Sequence, residues 1–472
     1  MKFHIALVFV GLACSALAAP APVEPQILKN LETSKTTNVL VTFKKTDTAA
    51  AFARFDSLAL ATRDAKLNTM YAILKDHADT VQADVIAMLE KSDSSKNTDI
   101  RQLWISAELI VRNADKDTVE SLRNHPDVGS LVAEKFFPLE PVERRELNKD
   151  EINPQAQWGV DAIHAGTVHS RGNRGQGIVV VNVDTGVRHT HVALKSNFRG
   201  TIQANNNYAW YAPTGHAANP FDDHGHGTHT MGTIAGTANG IGVAPGATWI
   251  ACKGCDANAY CSAFDLRECG NWVTCPTNTA GTNPDCTKAP NVSSNSWSGI
   301  QGDVGYDDIL AAWRRVNIVP LYSIGNNGPT CRTAQSPGDR PNAIGVGSIT
   351  VDNVISSFSS VGPTIDGRMK PDVAAPGSFV VSASSDSDTG YETWSGTSMA
   401  CPHAAGVSAL ILHDRPNLNV DQLQAALVNG CQRISASGIT CNGVSDNVYP
   451  NYQVGAGRID AVASTNFAIA NY

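Results

Sequence analysis

Three stretches, far apart in the chain, carry an acid, an imidazole and a hydroxyl where each could react. Val183-Asp184-Thr185-Gly186 closes the apolar run Gly177 to Val183 (GIVVVNV). An Asp at the end of a buried strand stands where an open α/β sheet presents its site, although Asp before Gly is also ordinary turn chemistry. The second stretch is Asp223-His224-Gly225-His226-Gly227-Thr228-His229, followed by small residues at Gly232, Ala235 and Gly236. It reads as a helix that begins just after His226, approaches a sheet closely and aims the imidazole into the site. The third is Gly396-Thr397-Ser398-Met399-Ala400-Cys401-Pro402-His403-Ala404-Ala405-Gly406. A small-residue turn there places Ser398 at the start of a helix running to about Leu412, with Pro402 expected in the first turn. The Ser398 N–H then points out of the helix start, beside its own hydroxyl; by itself such a turn is also an ordinary cap. A fourth stretch, Ser323-Ile324-Gly325-Asn326-Asn327-Gly328-Pro329, ends the apolar run Ile318 to Ile324. The Asn326 amide could donate to a developing oxyanion.

The histidines admit a rival chemistry. His224-x-His226-x-x-His229 resembles the HxHxDH run of metallo-β-lactamase-type hydrolases, but Thr228 stands where the ligand Asp belongs. Cys252-x-x-Cys255 has zinc spacing, yet no second such pair follows. A zinc hydrolase is therefore one alternative, and a catalytically silent binding protein another.

Taken together, the four stretches resemble the subtilisin-like serine peptidases, over about residues 155 to 465. The order Asp, His, Ser is that family's order. GTSMACPHAAG matches its nucleophile region almost letter for letter, HGTH its histidine region and DTG its aspartate region; Gly455 to Ala461 (GAGRIDA) resembles its closing segment. Asn295-Ser296-Trp297-Ser298-Gly299 is similar to bacillopeptidase F-like members, which carry a Trp there. The resemblance implies Ser398 as nucleophile, His226 as general base and then acid, and Asp184 as the group that orients the imidazole. It implies an oxyanion hole of Asn326 and the Ser398 N–H. It implies that an extended peptide adds as a strand between Ser296-Trp297-Ser298 and Ser323-Ile324-Gly325, with broad specificity. The pocket floor maps loosely near Gln335 to Gly338. The chemistry needs no cofactor. The family's calcium site after the catalytic Asp is doubtful here, because Ala193 occupies the ligand position.

The elements that must position these residues read as follows. Gly177 to Val183, Thr248 to Cys252, Pro290 to Ser296, Ile318 to Ile324 and Ala343 to Val346 are apolar runs of the kind buried parallel strands need. Helical patterns at Ala263 to Trp272 and Tyr306 to Val316 lie between them. The fold class is α/β, a mostly parallel sheet flanked by helices, spanning 150–472. Before it, residues 20–145 read as a small α+β unit. Its elements are a strand at Asn38 to Phe43, a long helix at Thr48 to Lys91, a strand at Leu103 to Val111, a helix at Asp117 to Asn124 and a strand at Val128 to Phe136. The resemblance makes this a ferredoxin-like inhibitory propeptide, an intramolecular partner of the enzyme. Pro138, Pro141 and Glu143-Arg144-Arg145-Glu146 read as an exposed linker, with processing between about Pro138 and Glu151.

Export is the expected destination. Lys2, the apolar run Ile5 to Cys14 and Ala16-Leu17-Ala18 form a signal peptide over 1–18. The product is expected to be a secreted, extracellular monomer with protein substrates, and no later run is long enough for a membrane span. A net charge of −8 argues against nucleic acid as a partner. Ten cysteines remain after the leader and read as disulfides of an exported protein. Cys431 with Cys441 is the pair the spacing favours, and Cys401, on a buried helix, is expected to stay a thiol. Asn291-Val292-Ser293 is a glycosylation sequon on an expected core strand, which argues against its use.

Overall fold

A computed structural model describes residues 19–139, 142–145, 147, 152 and 155–472. The expected signal peptide, 1–18, and part of the expected processing range lie outside the described residues. The chain forms two compact units. One holds the described residues up to Thr46 together with Val81–Gln102 and Glu108–Ala133; the other holds Asp47–Thr80, Leu103–Ala107 and everything from Glu134 onward.

The first unit is built on strands β1 (Thr37–Phe43), β2 (Asp99–Leu103), β3 (Glu108–Ala114) and β4 (Val128–Ala133), in the order β2-β3-β1-β4. β1 is antiparallel to both neighbours. Alternation on β1 sends Val39 and Val41 into a core with Leu109, Val111, Leu122 and Leu131, closed by Val85 and Leu89 of the helix Arg63–Lys91. Two expectations change here. Thr48 to Lys91 is two helices, Thr48–Asp56 and Arg63–Lys91. The break occurs because the Thr62 hydroxyl caps the second helix, accepting the Ala65 N–H at 3.2 Å. Leu103 to Val111 is likewise not one strand, because Ala107 takes a left-handed backbone (φ 52°) and turns the chain between β2 and β3.

In the second unit, β5 (Phe136–Pro138) and β6 (Glu143–Arg145) precede a parallel sheet. Its strands are β7 (Val179–Asp184), β8 (Trp210–Tyr211), β9 (Thr248–Lys253), β11 (Val292–Asn295), β12 (Val319–Ser323), β13 (Ile344–Ile349) and β14 (Val373–Pro376). Further strands stand outside it: β10 (Tyr260–Ser262), the hairpin β15 (Val380–Ala383) with β16 (Tyr391–Ser395), and the hairpin β17 (Thr440–Cys441) with β18 (Val444–Ser445). The sheet order is β14-β13-β12-β11-β7-β9-β8, and every pairing is parallel. Val180, Val181 and Val183 are fully buried, each burial worth roughly 1.5–3 kcal/mol. β14, β8 and the hairpin carry too few β-branched residues in register to stand out in the sequence. The first of this sheet's strands in chain order, β7, has later strands on both sides. Strand order therefore reverses at β7/β11, and the crevice beyond their carboxyl ends is where such sheets place a site.

The helix Thr397–Asp414 is buried from Thr397 through Leu412. Pro402 sits one turn deeper than expected, inside this helix. Its missing N–H leaves the Ser398 carbonyl without a helical donor, and the Ser296 hydroxyl supplies one at 2.9 Å. Among the described residues no helix is long and apolar enough to cross a membrane.

The cysteine pairing corrects one expectation. Cys441 bonds Cys331, not Cys431. Cys431 caps the helix Val420–Gly430 and turns its thiol back onto Leu427 O at 3.2 Å, away from the hairpin that carries Cys441. Cys252–Cys269, Cys255–Cys261 and Cys275–Cys286 brace the cysteine-rich insert, and Cys401 is a buried thiol. Cys331–Cys441 closes a span of 110 residues, for which chain entropy predicts up to about 4–5 kcal/mol. Peptide mapping without reduction should recover Cys331 linked to Cys441 and Cys431 alkylatable after unfolding. Cys331→Ser should lower Tm markedly, whereas Cys431→Ser should not.

Candidate active site

Asp184 ends β7 and is almost wholly buried. Its Oδ1 accepts from His226 Nδ1 at 2.8 Å and from the Thr185 N–H at 2.7 Å; its Oδ2 accepts from the Thr230 hydroxyl at 3.3 Å. A buried carboxylate is costly unless donors meet its oxygens, and here they do. His226 opens the helix His226–Ala235. Gly227 lets that helix touch β7, since a Cβ there would collide with the Gly186 carbonyl oxygen. Asn182 ties the two together, donating to Gly227 O at 2.9 Å.

The turn before His226 is held by Asp222, a residue that carried no signal in the sequence. Its Oδ1 accepts from the His224 and Gly225 N–H groups at 3.1 and 2.8 Å, and its Oδ2 from the Thr228 N–H at 2.8 Å. Neither companion histidine has a metal-binding arrangement. His229 is buried with Nε2 on Val380 O at 3.1 Å, its ring stacked on Trp394 at 4.9 Å. His224 Nε2 lies 3.2 Å from Arg144 Nη2. Cys252 and Cys255 sit in two different disulfides. Ala193 is buried in the loop after Asp184. A methyl group offers no oxygen ligand, so the family's calcium position does not fit this loop.

Ser398 lies in the first turn of its helix. Its hydroxyl donates to Ser296 O at 3.1 Å, reciprocating the bond from the Ser296 hydroxyl to Ser398 O. The outer nitrogen of His226, Nε2, is buried and has no hydrogen-bond partner. Asn326 follows β12. Its carbonyl oxygen accepts from both the N–H and the hydroxyl of Thr397, at 2.8 and 2.7 Å. Two donors on one side set the amide's orientation. Nδ2 therefore faces Gly396, 3.3 Å from where that residue would carry a Cβ.

The expected peptide-binding edges are arranged less uniformly. The Trp297 ring is buried edge-on against Tyr306 and Tyr322, so only its backbone can line a cleft. The Ser298 hydroxyl donates to Gln335 Oε1 at 2.8 Å. The Ser323 hydroxyl donates to Trp297 O at 3.5 Å, and Ile324 is buried with its N–H on Val346 O. Gly325 has φ 105°, and a Cβ there would strike the Gln335 side chain, so the turn requires glycine. Asn291 accepts from the Val179 N–H at 2.9 Å, which occupies its side chain in the sheet.

Residues 175–457 match the profile of the subtilase family. The chain is 32% identical over 400 residues to bacillopeptidase F of Bacillus subtilis (strain 168), covering 80% of this chain and 28% of that protein. The match thus spans little more than a quarter of that relative's length. It is also 32% identical over 320 residues to subtilisin NAT of Bacillus subtilis subsp. natto, covering 66% of this chain and 72% of that one. In fold it is similar to fervidolysin from Fervidobacterium pennivorans, with a TM-score of 0.61 and 18% identity, over 91% of this chain and 61% of the other.

Two histidines of this rim tie stability to pH. Burial lowers His229 to about 3 and His403 to about 4, against about 6.5 in an unfolded chain. Between those values the unfolded chain binds protons that the folded one refuses. Stability therefore falls as pH drops below about 6.5, by up to about 1.4 kcal/mol per pH unit for each ring. Tm should be lower at pH 5 than at pH 7.5, and His403→Gln should flatten that dependence whatever its effect on absolute Tm. An unchanged slope in the variant would remove His403 from the account.

Proposed function

Because the chain belongs to the subtilase family of serine-type endopeptidases, we propose that Ser398, His226 and Asp184 hydrolyse peptide bonds through an acyl-enzyme on Ser398. The observation that carries this reading is the state of His226. One ring nitrogen is bound to a buried carboxylate, and the other is buried without a protein partner, a costly arrangement that leaves its lone pair available for chemistry. The reading requires that rotation about the Ser398 Cα–Cβ bond take the hydroxyl from Ser296 O to that nitrogen. His226 then removes the proton as Ser398 attacks the carbonyl carbon, and the imidazolium formed is stabilised by Asp184. The tetrahedral oxyanion is met by the Ser398 N–H and by Asn326 Nδ2. Collapse expels the amine, which takes the proton back from His226. Water repeats the sequence to release the acid.

The wider reading is a secreted protease made as a self-inhibited zymogen, active as a monomer on many proteins. Substrate would bind chiefly through backbone along Ser296-Trp297-Ser298 and Ser323-Ile324-Gly325, which implies broad specificity. The segment from about 20 to 145 would act as the propeptide. Its end supports this, because β5 is antiparallel to β10, with Leu139 N–H on Ala259 O at 2.6 Å, and β6 is antiparallel to β16. On this reading processing would fall in the stretch between the paired strands β5 and β6, inside the range from about Pro138 to Glu151.

A fluorophosphonate should label Ser398 and abolish casein hydrolysis, whereas a chelator should leave activity largely intact; the reverse outcome favours metal chemistry. Ser398→Ala should lose about 10⁶ in turnover and accumulate as precursor. Asn326→Leu should lose about 10²–10³ in kcat with little change in KM, both magnitudes being carried over from bacterial subtilisins. Normal maturation of Ser398→Ala would show that another protease cuts the chain.

A further inference from the structure

The outer edge of β16 holds a feature that the acyl-transfer chemistry does not use. β6 runs antiparallel to it, with Glu143 opposite Ser395, Arg144 opposite Trp394 and Arg145 opposite Thr393. Upstream, Val142 packs on the cluster of Val380, Trp394 and Met399, with Cγ1 3.1 Å from where Gly396 would carry a Cβ. Earlier still, the Phe137 ring lies 3.3 Å from where Gly299 would carry one. The chain thus comes in along the Ser298–Gly299 side and leaves along the Gly396 side. On the reading proposed above, residues from Val142 onward stand for the leaving-group half of a substrate.

Successive side chains of an extended strand leave on opposite faces, and both arginines of β6 find an aromatic ring. The Arg144 guanidinium carbon lies 4.1 Å from the centre of the Trp394 ring, and that of Arg145 5.5 Å from Phe379. Trp394 Nε1–H donates to Glu392 Oε2 at 2.9 Å, which makes the indole face a better partner for a cation. At 3.2 Å from Arg144 Nη2, His224 Nε2 must accept, since a guanidinium offers donors only. Burial together with His226 and Arg144 depresses the His224 pKa, which keeps the ring neutral and able to accept.

We propose that Trp394 and His224 form a subsite for an arginine side chain on the leaving-group side of the scissile bond, two residues after the one seated on Met399. Arginine suits it better than lysine. A planar guanidinium can lay its face on the indole while an edge N–H reaches the imidazole; an ammonium cannot do both. The inference rests on the serine-endopeptidase reading and names part of that site's specificity.

The test gives mature enzyme a series of quenched peptides spanning the sequence Phe136 to Arg145. The Arg144 position is varied to Lys, Gln and Ala, and kcat/KM is measured for each. Arg→Ala should lower kcat/KM by about 3- to 30-fold, with Lys in between. Because Trp394 also stacks on His229, the enzyme-side variant is His224→Ala, which should shrink the Arg-to-Lys ratio whatever its overall rate. Equal kcat/KM across the peptides, with fluorophosphonate labelling intact, would overturn the subsite and leave the serine-peptidase reading standing. If labelling and cleavage both fail, fluorescence polarisation with the same peptides decides. Arginine-dependent binding would keep the subsite and discard the peptidase reading, and no such dependence would discard both.

Discussion

A buried carboxylate is tolerable only when its oxygens are met by donors, and Asp184 meets that condition at the rim of a parallel sheet. Its partners come from three places: the backbone just after it, the His226 ring and the Thr230 hydroxyl one turn along the same helix. That set forces the start of the helix His226–Ala235 against the end of β7. Only a residue without a side chain fits between them, which is why Gly227 follows the histidine. Asp222 performs the matching service for the turn before it, where backbone N–H groups would otherwise lack acceptors.

The serine side of the rim is held by a different device. Pro402 breaks the hydrogen-bond ladder of its helix and frees the Ser398 carbonyl. The end of β11 answers with the Ser296 hydroxyl and, through its own carbonyl, receives the Ser398 hydroxyl. β12 adds Asn326, locked by Thr397. The Ser398 turn is thereby tied to two neighbouring strands. Preorganisation of this kind is what makes an oxyanion site effective, because no reorganisation remains to be done during reaction.

The segment around β5 and β6 shows how extended backbone can use this rim. Edge strands offer unpaired N–H and C=O groups, and both β10 and β16 are completed by residues of the chain itself. On the proposed reading, side chains would add selectivity to a backbone grip that otherwise accepts many sequences. Cationic groups over Trp394 and Phe379 belong to that second layer.

Much of this was legible from residue types alone. The sheet's central strands are continuous apolar runs, and runs of that length can only be buried. The acid, imidazole, hydroxyl and amide each sit at the end of such a run or the start of a small-residue helix, so their places at the rim follow from local pattern. Other features were not legible because they depend on neighbours hundreds of residues away. Trp297 reads as a cleft residue, but its ring is spent in an aromatic cluster with Tyr306 and Tyr322. Cys441 is nearest Cys431 in sequence, yet hairpin and helix cap turn their thiols apart and Cys331 takes the bond. Sequence by itself marked the central strands, the small-residue helix starts and the candidate reactive side chains, since these rest on periodicity and backbone preference within a few residues. Tertiary structure alone decided which lone pairs and rings meet, because hydrogen bonds and packing are settled by distance in space, to which separation along the chain is no guide.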